Sequence, residues 1–310
     1  MISSRVFLAG LIAVSAALSP ALSSPLGTMP AVDDAPGSGG KTLRVCASRN
    51  APPFTTEDGG GFEDRIAAAL ATAMGEQLEI VRIDKPPIYL VRDALDQRLC
   101  EVIVGLDTGD PRVLTSKAYY RTGYVFVSRA DRKLDVRSWN DGRLRSLGRI
   151  AVPFDSPGEQ MLKQIGRYDD NLNYNYSLVN FKSRRNQYVQ VEPARMVSEV
   201  ASGNADLAVA FAPEVSRYVR DSIIPLHMTL IADDARLSDG ARLEQDFDQS
   251  VGVRKDDASL LAKIDAALLA AAPQIHAILE RESIPLLPLD ASAPAAKRKT
   301  APAAAARSGS

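Results

Sequence analysis

Residues 102–106 read VIVGL, an apolar run typical of a β-strand that is buried on both faces. Upstream of this run, four apolar residues stand at helical spacing and predict a helix: Ile88, Val91, Leu95 and Leu99. Residues 78–83 and 43–47 predict two further strands, and the segment between them places on one helical face Phe62, Ile66, Leu70 and Ala73. This strand and helix order is a βαβαβ unit, which predicts a parallel sheet with right-handed crossovers.

A second α/β unit follows the polar stretch 131–148. Residues 149–152 predict a strand, and Ser156-Pro157-Gly158-Glu159 combines an N-cap serine, an N1 proline and a capping-box glutamate, which together predict the start of a helix. A helix over 194–202 ends at Gly203 and leads into a strand over 206–211. Residues 249–253 predict the last strand, followed by a helix that Pro273 ends or restarts. The chain therefore predicts two α/β lobes.

The two ends have the composition of segments outside a fold. Arg5, the apolar run 6–18 and the small residues 21–23 predict a secretory signal peptide over residues 1–23. The apolar run has only about 13 residues, whereas a membrane-spanning helix needs roughly 20, so an uncleaved anchor is the less favoured alternative. Residues 24–41 predict a disordered linker and residues 291–310 a disordered tail.

Charge and cysteine content restrict the possible functions further. The chain carries 37 basic and 38 acidic residues, a net charge of −1, which gives no indication of a nucleic-acid or anionic-membrane partner. Cys46 and Cys100 are an even pair in a chain predicted to be exported, where oxidation is the default state. A disulfide between them is predicted, with two buried thiols in neighbouring strands as the alternative.

The segment order over residues 43–287 resembles the extracellular solute-binding proteins of the polar amino-acid type. The matching pieces are Pro52-Pro53-Phe54, Gly61-Phe62, the loop 105–112 ending in Tyr119-Tyr120, the turn 202–206, and residues 251–257. The resemblance implies a type II periplasmic-binding-protein fold with hinge strands at 124–128 and about 247–251. The implied lobes are 42–130 with 249–290, and 131–248.

A narrower likeness covers nearly the whole chain between its two ends. Residues 105–115, 177–188 and 194–200 are similar to long runs of the MxaJ proteins, accessory proteins of methanol oxidation in Gram-negative methylotrophs. This resemblance implies a periplasmic protein that supports the assembly or activity of a quinoprotein methanol dehydrogenase, with no transport partner required. The chain is predicted to be no enzyme and to bind no cofactor. The alternatives are the substrate-binding component of an importer for a small polar or acidic solute and, less favoured, a periplasmic dehydratase.

Ligands of open α/β sheets bind beyond the carboxyl ends of the strands. Arg112 falls where amino-acid-binding relatives hold the ligand carboxylate, and a guanidinium can do so through two parallel hydrogen bonds. The alternative is a structural arginine that pairs with Asp107 or Asp110. The candidate ligand contacts are Phe54, Asp107, Thr108, Arg112 and Ser156.

Two positions depart from the amino-acid-binding pattern. Phe211 stands where relatives present an acid to the ligand ammonium, and Arg65 stands where they often keep another acid. Because an unpaired buried ammonium costs several kcal/mol, an ordinary α-amino acid is not the expected ligand.

Catalytic and metal chemistry have little support in the sequence. His227 and His276 lie far apart, and no metal-ligand spacing connects them to cysteines or carboxylates. Asp107 and Asp110 belong to a turn composition in which aspartate hydrogen-bonds its own backbone. No Gly-x-Ser-x-Gly motif and no dinucleotide glycine fingerprint occurs, so neither a catalytic residue nor a metal site is predicted.

Residues 174–188 mix aromatic and basic side chains without a clean strand or helix period. Aromatic and arginine residues are enriched in protein interfaces, so this segment is the candidate partner surface, with a solvated insertion as the alternative. The residues proposed to contact the dehydrogenase are Tyr174, Tyr176, Lys182, Arg184, Arg185 and Tyr188.

Overall fold

The computed structural model describes residues 41–179 and 190–289, which fold as a mixed α/β structure. The strands are β1 (Thr42–Ser48), β2 (Gln77–Ile83), β3 (Val102–Asp107), β4 (Leu114–Thr115), β5 (Tyr120–Arg129), β6 (Ile150–Ala151), β7 (Leu207–Phe211), β8 (Leu226–Leu230) and β9 (Asp246–Val253). The α-helices are α1 (Phe62–Met74), α2 (Pro157–Gln164), α3 (Tyr168–Ser177), α4 (Pro193–Ser202), α5 (Ala212–Arg220) and α6 (Ala258–Arg281). The predicted signal peptide, linker and tail lie outside the described residues.

The strands form one path in the order β2-β1-β3-β9-β5-β7-β6, with β4 added to β9 and β8 to β5. β1 runs parallel to both β2 and β3, as the βαβαβ pattern predicts. β9 returns antiparallel to β3 and also pairs with the first half of β5. The second half of β5 pairs with β7 and β8. The two predicted hinge strands are parts of β5 and β9.

Separate cores lie on the two sides of β5 and β9. In the first lobe, α1 and α6 pack together and against β1 and β3, burying Phe62, Ile66, Leu70, Val102, Ile264 and Ile278. In the second lobe, two clusters around β6 and β7 bury Trp139, Ile150, Leu162, Met196, Val200 and Leu207. The predicted fold class, two α/β lobes joined by two hinge strands, is confirmed; the residue bounds of the lobes stay a prediction.

The segment before β3 is less helical than its spacing predicts. It forms a 3-10 turn at Pro87–Tyr89 and one wide helical turn at Val91–Leu95. Arg98 has a left-handed backbone with φ of 58°, which ends the turn and leaves Leu99 exposed. The prediction of one regular helix through Leu99 is therefore wrong.

Helix α6 continues through Pro273, although the sequence predicts an end or a restart there. Ala271 and Ile275, on either side of the proline, are both buried in the first-lobe core, so packing holds the two halves in line. By length and composition α6 alone among the described residues could cross a membrane. Its buried face, which includes Ile264, Leu268 and Leu279, makes it a core helix of this fold.

Candidate functional site

A cavity of about 340 Å³ is lined by residues of both lobes. Its first-lobe wall comes from β1, the loop after it, the start of α1 and the end of β3; its second-lobe wall comes from the loop after β6 and the start of α5. The apolar part of the lining includes Phe54, Leu90, Ile103, Phe154, Val191 and Phe211. Several carboxyl side chains interrupt this apolar surface, and their environments differ.

Glu63 lies in the first turn of α1 and lines the cavity. Its carboxyl packs so closely on Gly105 that a Cβ atom there would lie 1.8 Å from Oε1. Gly105 also has a positive φ of 78°, which favours glycine, and any side chain there would displace the Glu63 carboxyl. Burial, with a smaller contribution from the neighbouring charge of Asp64, raises the pKa of Glu63 to about 8.

Glu214 lies in the first turn of α5, one helical turn after Phe211, and also lines the cavity. Burial raises the pKa of its carboxyl to about 7, although the backbone N–H of Phe211 opposes the shift. The Phe211 ring packs against Tyr124, with ring centroids 5.7 Å apart. The two lobes therefore each contribute one carboxyl group whose ionisation is made costly by burial.

Asp64, the third acid in the lining, is held by the protein itself. Arg82 Nη1 lies 2.7 Å from Oδ1, and the backbone N–H groups of Thr56 and Gly61 donate to Oδ2. The Asp64 side chain is almost completely buried. Its charge is compensated, so Asp64 positions the start of α1 and leaves Glu63 and Glu214 as the groups that can respond to a ligand.

We expect Glu63→Gln to stabilise the protein at high pH. With a pKa of about 8 against an ordinary 4.5, the folded state binds the Glu63 proton more tightly than the unfolded state. Stability is therefore lost as pH rises from about 4.5 to 8, and glutamine removes this loss. Thermal denaturation of both proteins at pH 5 and pH 9 checks this, with exposed Glu79→Gln as the control. An equal difference at the two pH values would refute the prediction.

Sequence comparison places the chain among known proteins. No protein-family model matches it. It is 56% identical over 248 residues to Protein MoxJ of Methylorubrum extorquens, which covers 80% of this chain and 82% of that protein. The chain belongs to the MoxJ family. The predicted resemblance to this group is confirmed.

Solved structures agree with the MoxJ assignment. The crystal structure of MxaJ from Methlophaga aminisulfidivorans MPT is 45% identical with a TM-score of 0.76, and the match covers 79% of this chain and all of that one. The periplasmic binding protein XoxJ from Methylobacterium extorquens AM1 matches with a TM-score of 0.60 at 21% identity, over 80% of this chain and all of that one. The latter likeness concerns the fold, which is that of a periplasmic binding protein.

In this MoxJ-family chain, the predicted ligand contacts do not form one cluster. Phe54 lines the cavity and packs on Phe62, with ring centroids 5.2 Å apart. The Asp107 carboxylate accepts a hydrogen bond from Gln249, which itself lines the cavity. Thr108 bonds Ser250 and the Asp248 carbonyl. Ser156 caps α2 by accepting from the Glu159 N–H, and neither Thr108 nor Ser156 is among the lining residues.

Arg112 is occupied within its own loop. Its Nη2 lies 2.6 Å from Asp110 Oδ2, its Nε also donates to that carboxylate, and its Nη1 donates to the Ile88 carbonyl. Arg112 is absent from the cavity lining. This geometry agrees with the structural alternative that the sequence left open, while a ligand role for Arg112 stays a prediction.

The MoxJ-family cavity contains acids that the sequence reasoning missed. Phe211 does occupy the cavity wall, but Glu214 brings a carboxyl to the same wall three residues later. Arg65 bonds Glu282 and the Gly60 carbonyl, while Glu63 two residues earlier faces the cavity. The available signal was an acid in the first turn of α1 and of α5.

The candidate partner surface, residues 174–188, is only partly described by the structure. The Tyr174 hydroxyl donates to Glu199, and Tyr176 is 57% exposed with its ring 4.8 Å from that of Phe154. Lys182, Arg184, Arg185 and Tyr188 lie outside the described residues. Within the residues the structure describes, no group of three or more His, Cys, Asp or Glu side chains could hold a metal ion.

Proposed function

We propose that this protein is a periplasmic accessory protein of methanol oxidation, which supports the assembly or activity of a quinoprotein methanol dehydrogenase. The observation that carries the proposal is the 56% identity to Protein MoxJ over 248 residues. The resemblance of residues 105–115, 177–188 and 194–200 to the MxaJ proteins supports the same role.

The cavity argues against an amino-acid importer. Among the described residues its lining includes no arginine, lysine or histidine that could bind a carboxylate. Arg112, the residue that this class uses for the purpose, is paired with Asp110. The histidines offer no acid–base pair for a dehydratase, because His227 and His276 are both exposed on separate elements. The proposal therefore gives the two histidines no catalytic role.

Deletion of the gene tests the accessory role. We expect the deletion strain to lose methanol-dependent growth and dehydrogenase activity, and the plasmid-borne gene to restore both. The periplasmic fraction of the complemented strain should contain the protein without its first residues, since residues 6–18 predict a signal peptide. Normal growth on methanol, with normal dehydrogenase activity in the deletion strain, would overturn the proposal.

The partner surface is proposed to include Tyr176 and the basic residues of the 174–188 segment. Reversing the charges of Arg184 and Arg185 to Glu should slow association with purified dehydrogenase, because charges at the rim of an interface act mainly on association rate. Added salt screens such charges and should reduce the difference between variant and wild type. Surface-binding kinetics at two salt concentrations measure both effects. The matched control reverses the exposed Arg132 and Arg236, and unchanged kinetics in both double variants would remove the segment from the interface.

A further inference from the structure

We infer that the cavity binds a small organic cation of the alkylammonium class, with its nitrogen held by Glu63 and Glu214 and its apolar groups against phenylalanine rings. This ligand site goes beyond the accessory role and does not depend on it. Three features of the cavity favour this ligand: the charge of its lining, the elements that carry the two acids, and the aromatic residues of its apolar wall.

The ionisable side chains of the cavity lining are all acidic among the described residues. Glu63, Asp64 and Glu214 are its ionisable side chains, and no basic side chain accompanies them among the described lining residues. Asp64 is neutralised by Arg82 behind the wall. No lysine or arginine among the described residues compensates Glu63 or Glu214. Once ionised, Glu63 and Glu214 would repel an anionic ligand, whereas a cation supplies the opposite charge with which both carboxylates can pair.

Two lobes contribute to the same ligand. Glu63 stands in the first turn of the 13-residue α1 and Glu214 in the first turn of the 9-residue α5. Carboxylates in the first turn of a helix are favoured by its dipole, so both anions are stabilised once a cation offsets the cost of burial. A ligand that contacts both acids joins the first lobe to the second.

The apolar wall selects the rest of the ligand. Phe54 comes from the first lobe, and Phe154 and Phe211 come from the second. Aromatic faces attract ammonium groups, and the attraction is stronger when the site is shielded from water. Small alkyl groups on the nitrogen would contact these rings and the neighbouring aliphatic side chains. A volume of about 340 Å³ limits the ligand to a small molecule.

Cation binding is linked to proton release. The free cavity holds both glutamates with raised pKa values, about 8 for Glu63 and about 7 for Glu214, so a cation must replace a proton. Asp64 next to Glu63 is paired with Arg82. The other ionisable groups around the two acids are Tyr119 and Tyr120 beside Glu63 and Tyr124 beside Glu214, and Asp107 acts on Tyr120 and Tyr124. Burial raises the pKa of each tyrosine, which stays neutral. Affinity for an alkylammonium ion is therefore expected to rise with pH between about 6 and 8.5.

Calorimetric titration of the purified full chain tests the inference. The probes are n-butylammonium and tetramethylammonium chloride, with tert-butanol and butyrate as neutral and anionic comparisons. We expect at least one of the two cations to bind saturably, more tightly at pH 8.5 than at pH 6, and both comparison compounds to bind roughly tenfold more weakly or worse. Failure of both cations to bind at either pH, or a preference for butyrate, overturns the inference.

Two variants locate the cation. Glu63→Gln and Glu214→Gln keep the size of each side chain, remove its charge, and should each weaken cation binding by roughly 10-fold or more. Glu79→Gln removes one exposed charge of the same lobe and should bind as the wild type does. Melting temperatures show that each variant is folded. Wild-type affinity in both cavity variants overturns the assignment, and the deletion phenotype of the accessory role is independent of either result.

Discussion

Reduction of the Cys46–Cys100 disulfide is expected to lower the free energy of unfolding by about 4 kcal/mol. The two cysteines are joined with their Cα atoms 5.5 Å apart and close a loop with a sequence separation of 54. In the chain-entropy account, a loop of this length restricts the unfolded chain by that amount. Both side chains are buried beside Leu90 and Ile103, at 2% and 0% exposure. Reduced thiols can stay in this packing as small apolar groups, so most of the loss comes from the missing bond.

Thermal denaturation with and without reductant measures the effect, which corresponds to roughly 8–16 °C for a protein of this size. The double variant Cys46→Ala with Cys100→Ala should melt at a low temperature that reductant does not change. Thiol titration of denatured, unreduced protein should find no free thiol. Two free thiols per chain together with an insensitive melting temperature would contradict the bond.

Glu282→Ala is expected to destabilise the protein by about 3 kcal/mol, or roughly 6–12 °C in melting temperature. The Glu282 side chain is 5% exposed at the end of α6 and accepts hydrogen bonds from two arginines. Arg217 on α5 donates through Nε at 2.7 Å and Nη2 at 2.9 Å, and Arg65 on α1 also donates. The substitution leaves two partly buried guanidinium groups without their shared carboxylate, which is the costly way to break an ion pair.

The Glu282 contribution should also disappear in acid. Burial alone would raise the pKa of Glu282, but the hydrogen bonds and charges of Arg217 and Arg65 outweigh it and lower the value. Its stabilisation is therefore present above about pH 4.5, the ordinary value for glutamate, and is lost as pH falls through the lower folded value. The difference between wild type and Glu282→Ala should shrink below pH 4. Exposed Glu280→Ala is the matched control, and an equal loss in both variants would argue against the ion-pair explanation.

The sequence predicted most of the helices and strands, because caps and hydrophobic spacing are set by residues close together in the chain. Ser156 does cap α2, Gly203 does end α4 in a left-handed conformation, and β1, β2 and β3 are parallel as alternation predicts. The return of β9 between β3 and β5 joins residues far apart in sequence. It was expected from resemblance alone, since no local pattern states which strand pairs with which.

The site was harder to predict than the fold for a physical reason. Glu63 and Glu214 look like ordinary first-turn acids of two helices, and their raised pKa values come from burial that exists only after the lobes pack. Arg112 looks like a ligand contact, yet Asp110 two residues earlier satisfies it locally. Residue type shows what a side chain can bind, whereas its neighbours in the folded chain decide what it does bind.

Strand β5 is shared by the two lobes, which affects how the protein unfolds. Tyr120 at its start is buried in the first-lobe core, and Val125, Phe126 and Val127 near its end are buried in the second-lobe clusters. Melting either half would strip the backbone partners from a strand on which the other half is built. The two lobes therefore have separate hydrophobic cores but should unfold cooperatively. We expect thermal denaturation to show a single transition.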